Sequence, residues 1–126
     1  MDPIVLRLLS ALKYLLLLVI CGGFLGIGMQ ELVGVPWIVE QFEYWKFPIW
    51  TMYVVGFIQV VAAILTFYQP TRIWGCLILL ANMLGAIGTH IYAQQYDRLS
   101  PPIVLALLIL SLIFIEKVQT SEKEKG

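Results

Sequence analysis

The chain has 126 residues, 60% of them hydrophobic and only 13% charged, with eight basic residues against eight acidic ones. A soluble domain this short leaves too much of its surface in water to hide that apolar content, so lipid is the expected solvent. The balanced charge offers no basic field for nucleic acid, which is excluded as a partner.

Crossing the hydrocarbon takes about 20 apolar residues in a helix. The first charge-free interval, Tyr14 to Gln30, places a span over about 8–30. Arg7 and Lys13 precede it as they would precede a signal peptide. No small-residue cleavage site follows, and the apolar run continues past Cys21-Gly22-Gly23, so the segment is expected to be retained. A long connection, Glu31 to Pro48, comes next. Within it Pro36 to Lys46 reads as a short interfacial helix, the alternative being an ordinary structured loop. Trp37, Phe42 and Trp45 are the residues expected to seat it in the interface. Ile38, Phe42 and Trp45 share one face, and Glu40 and Glu43 the opposite one.

The second span is expected over 49–68, the third over 72–94 and the fourth over 101–117, leaving 118–126 as a flexible tail. Gln69-Pro70-Thr71 and the Pro101-Pro102 pair punctuate the short loops, so neighbouring helices should pack antiparallel. The fold class is therefore all-α, a single four-helix transmembrane bundle with a cap between the first and second spans. Arg7, Lys13, Arg72, Lys117, Lys123 and Lys125 fall on one side and only Lys46 and Arg98 on the other. That asymmetry puts both termini in the cytoplasm of a multi-pass cell-membrane protein, the inner membrane for a bacterial chain.

Small residues let membrane helices approach closely. Gly22-x-x-x-Gly26 and Ala81-x-x-x-Gly85-x-x-x-Thr89 are expected first to pack within the chain and second to form a dimer face. Gln59 and Asn82 fall at similar depth in the second and third spans. They read as a polar link between helices, bonded to each other, or as the polar wall of a midplane ligand pocket. His90 lies two helical steps from Asn82, as a proton acceptor, a quinone partner or an interfacial histidine bonded to the outer loop. One histidine without nearby cysteines makes a poor metal site, and no metal is expected. Cys21 and Cys76 read as small packing residues. No acidic or basic residue is expected deep in a span, which disfavours an ion-coupled transporter.

From Leu15 to Ile115 the chain resembles the DoxX-like membrane proteins. The resemblance is carried by Gly28, Leu32, Gly34 and Pro36; by Phe47-Pro48 and Tyr53-Val54-Val55-Gly56; by Arg72; by Gly85-Ala86-Ile87-Gly88-Thr89-His90; and by Pro101-Pro102. It implies an association with membrane redox systems, including a thiosulfate:quinone oxidoreductase, and assembly or chaperone roles in distant relatives. Many members carry lysine where this chain has Glu31 and an acidic residue where it has Gln59, so chemistry that depends on those charges is either lost here or put to another use. The favoured expectation is a non-catalytic accessory, scaffold or assembly subunit that meets a membrane-protein partner or a second copy. The alternative is a component of a quinone-linked oxidoreductase, with a quinone or lipid held between the second and third spans.

Overall fold

The computed structural model describes residues 1–125, and every long element among them is helical. Helix α1 runs Pro3–Val33, the outer-loop helix α2 Pro36–Tyr44, α3 Ile49–Phe67, α4 Arg72–Tyr92 and α5 Ser100–Lys125. Single 3-10 turns occupy Gln69–Thr71 and Tyr96–Arg98. Four of these helices, α1, α3, α4 and α5, are long and apolar enough to cross a membrane.

Local chemistry sets the ends. Asp2 caps α1 by accepting from the Ile4 amide at 2.8 Å, with Pro3 in the first turn where its missing N–H costs nothing. Gly34 closes α1 in a left-handed conformation (φ 82°), open to glycine without steric penalty, and α2 starts two residues later. Lys46 and Gln94 also take positive φ, at 61° and 58°, ending α2 and turning the chain after α4.

The bundle is a ring in which α1 packs on α3 and α5, and α4 packs on the same two helices. Its core joins Ile20 and Phe24 of α1, Ala62 of α3, Leu79 of α4, and Ile109 and Leu112 of α5. The opposite faces carry residues such as Leu18, Phe57 and Phe114, which remain exposed as a lipid-facing surface must. Cys21 and Cys76 are buried and free.

The close helix contacts use other glycines than the two stripes suggest. A Cβ added at Gly22, Gly26 or Gly85 would meet nothing within 4 Å, and Ala81 is exposed. The intramolecular role expected of them is therefore not what the fold uses. Instead Gly28 faces Gly56, where a Cβ on either would come within 3.0 and 2.9 Å of the other's carbonyl oxygen, drawing α1 onto α3. Gly75 lies against Ala62 and Thr66, drawing α4 onto α3.

Two further expectations change. α1 begins at Pro3 and α5 runs helically to Lys125, so residues 118–125 are helical; Gly126 lies outside the described residues. At 31 and 26 residues these helices measure about 46 and 39 Å, longer than the roughly 30 Å of hydrocarbon. The excess pairs at one end. Gln119 donates to Ser10 Oγ (3.1 Å) and accepts from Lys13 Nζ (2.8 Å), and the Met1 amine stands 3.4 Å from Glu122.

Buried charge lies at the ends of the spans. Arg72 donates to the Thr66 and Phe67 carbonyls (2.8 and 3.0 Å) and pairs with Glu116, which Lys13 approaches at 3.9 Å. Arg72 thereby satisfies the carbonyls freed where α3 ends before Pro70, and ties that end to α5.

Candidate functional site

At the other end of the bundle, α2 forms a cap. Ile38 and Phe42 bury themselves against Met52 of α3, in a small core separate from the main one. Trp45 packs edge-on against Phe42 (5.1 Å) and His90 (5.5 Å between centroids). One amide oxygen locks this arrangement. Gln95 Oε1 accepts from Trp45 Nε1 at 2.8 Å and faces His90 Nδ1 at 3.0 Å, which donates in the Nδ1-protonated tautomer. The left-handed turn at Gln94 returns Gln95 to this position, with its amide bonded to the His90 carbonyl at 2.8 Å.

Beneath the cap lies a cavity of about 460 Å³ bounded by α1, α2, α3 and α4. It extends along α3 from Thr51 to Gln59, eight residues or about 12 Å, from the cap to mid-span. The wall is mostly apolar and aromatic, including Ile27, Trp37, Phe42, Val55 and Met83. Gly85 and Ala86 keep the α4 side open, since nothing stands within 4 Å of where a Gly85 Cβ would be.

The polar atoms of this cavity distinguish it from the rest of the molecule. Among the described residues four buried side-chain atoms lack a hydrogen-bond partner: Glu31 Oε2, Gln41 Oε1, Gln59 Oε1 and Asn82 Nδ2. All four residues line this one cavity. Glu31 is 4% exposed and Gln59 5% exposed, and Glu31 enters no ion pair among the described residues. Buried polar groups are almost always paired, so three acceptors and one donor without partners on residues around a single apolar space make this cavity the candidate site.

The expected residues divide accordingly. Gln59, Asn82 and Thr89 line the cavity; Thr89 Oγ1 is bonded to its own helix at Gly85 O (2.9 Å), and the two amides do not bond to each other as expected. His90 stands outside the lining and belongs to the Trp45–Gln95 lock, its interfacial reading. Trp37, Phe42 and Trp45 sit on the cap as the pattern of the outer loop suggests. Glu31 and Gln41 are the groups that sequence reasoning missed. For Glu31 a signal existed in its position at the outer boundary of the first span, but the α1–α3 glycine contact that turns it inward is a property of the fold. Glu31 and Gln59, the two departures from the pattern the chain resembles, meet in this cavity.

Comparison with known proteins yields a family model described as the DoxX-like family, which matches residues 14–112. No curated protein and no solved structure matches the chain.

Proposed function

We propose that this chain, which belongs to the DoxX-like family of membrane proteins, is a ligand-binding membrane subunit. It takes a lipophilic small molecule with a hydrogen-bond-donating head into the cavity under α2. The observation that carries this reading is the convergence of Glu31, Gln41, Gln59 and Asn82, each with an unpartnered buried atom, on one apolar space. The quinone-linked reading fits this donor and acceptor count in its reduced form. A quinol offers two hydroxyl donors to a wall with three open acceptors, whereas a quinone offers acceptors alone. Solvent extraction of protein purified in mild detergent, followed by mass spectrometry, tests the reading. A stoichiometric lipophilic molecule lost on Asn82→Leu is expected, and recovery of nothing but phospholipid, identical in variant and wild type, refutes it. His90→Ala should leave that molecule in place, because His90 lies outside the lining.

A second reading, the accessory or scaffold subunit, is favoured by the open space around Gly22 and Gly26, which leaves a smooth strip on α1 for a helix of a partner or a second copy. A stoichiometric partner or a dimer in mild detergent, broken by Gly22→Leu, is its expected outcome; a monomer indifferent to that change counts against it. The two readings are compatible in one subunit. We also assign both termini to the cytoplasmic face of the cell membrane, from the six-to-two excess of Lys and Arg on their side. Protease or label accessibility of tags at the two ends in oriented vesicles tests it.

A further inference from the structure

We propose that the head group this cavity selects is a protonated amine, with Glu31 as its counter-ion and Gln59 and Gln41 as its further acceptors. The inference rests on the cavity being a ligand site and names the chemical class of the ligand. Glu31 is buried, has a carboxylate oxygen without a partner, and is paired with no cation among the described residues. The basic residues on its side of the bundle, Lys46 and Arg98, are both exposed and enter no ion pair. A buried carboxyl stays neutral unless a cation and hydrogen bonds compensate its charge, and here the protein supplies neither to Oε2, which leaves that place to a ligand.

The arrangement of the open acceptors matches an ammonium. Glu31 lies at the level of Gly56, its Cβ 2.9 Å from where a Gly56 Cβ would stand. Gln59 is three residues further along α3, about 4.5 Å deeper, and Gln41 comes down from the cap. Glu31, Gln41 and Gln59 each bring an acceptor to this space, with Asn82 Nδ2 the one donor, and a primary ammonium carries three N–H donors. The aromatic wall favours positive charge over a neutral head as well. Trp37, Phe42, Trp45 and Phe47 line the same cavity, and ring faces attract cations most where water is excluded. The apolar remainder of the cavity accommodates the alkyl or aryl body, so the class is a lipophilic monoamine arriving from the bilayer.

The test uses the full chain in phosphatidylcholine vesicles at neutral pH, with n-octylamine, 1-octanol and a short-chain benzoquinol as probes. Binding is read by the fluorescence of Trp37 and Trp45 and by calorimetry. Saturable octylamine binding is expected, tighter than that of octanol, which has the same chain without the charge. Glu31→Gln should weaken octylamine roughly tenfold or more and abolish its preference over octanol, and Glu31→Asp should retain most of the affinity. Equal binding of octylamine and octanol to the wild type overturns the inference, and that comparison needs no variant to fold. An octylamine affinity indifferent to Glu31→Gln overturns it too. Benzoquinol binding without amine binding sinks the amine class and leaves the ligand-binding reading standing; absence of binding by all three probes removes both.

Discussion

Replacing Gly75 with alanine tests how α4 is held to α3. The added methyl carbon would stand 2.6 Å from the Ala62 carbonyl oxygen and 2.5 Å from the Thr66 amide nitrogen, and would also overlap the Thr66 hydroxyl. Two of these are backbone atoms of a helix and have no rotamer to escape into. Ordinary contact begins at 3.4 Å, so the helices must separate by about 0.9 Å to relieve the nearer backbone contact. A gap of that size forfeits a quarter to a half of the dispersion attraction across the seam. Overpacking costs about 1–3 kcal/mol where the core can adjust. With backbone on the opposing side, a loss near the upper value is expected, about 3 kcal/mol or on the order of 100-fold in the folding equilibrium. The assay is unfolding by SDS in mixed micelles, followed by tryptophan fluorescence. Gly22→Ala is the control: its new methyl meets nothing, and the better helix propensity of alanine leaves the protein unchanged or up to about 1 kcal/mol more stable. Equal effects of the two substitutions would refute the helix pairing described here.

Arg72→Ala should cost about 3–5 kcal/mol, because it leaves Glu116 buried with only Lys13 at 3.9 Å and frees the Thr66 and Phe67 carbonyls. Glu116→Gln should cost less, since Arg72 keeps both carbonyls and the amide can still accept; a double-mutant cycle in the same SDS titration checks the coupling between them. Gln95→Leu removes the oxygen shared by Trp45 and His90, so the Trp45 emission should shift and amide exchange over residues 93–99 should quicken, with about 1 kcal/mol lost. Gln94→Gly should be tolerated or mildly stabilising, because its φ of 58° is open to glycine without strain, whereas Gln94→Val should disturb the same amides.

Much of the architecture was legible before any coordinates. Span number, the two proline-marked loops and the amphipathic outer helix follow from length, hydropathy and punctuation, which are properties of the chain read in one dimension. Helix phase is different. Gly22-x-x-x-Gly26 and Gly28 lie on one helix with equal claims to be a contact, and only the partner across from Gly28, which is Gly56, decides between them. The same holds for charge. Arg72 reads as the first residue of the third span, and nothing in the sequence marks Glu116, 44 residues away near the end of the fourth, as its partner.

The sequence by itself determined that lipid surrounds this protein and that four helices cross it, because covering the backbone's polar groups within hydrocarbon leaves helices as the way to do so with these apolar stretches. Tertiary structure decided where function can reside. The contact of Gly28 with Gly56 turns Glu31 inward, the α2 cap closes over it, and the open face of Gly85 preserves room beside Gln59 and Asn82. Each of these depends on which faces of different helices meet, a choice made by packing between residues far apart in the chain.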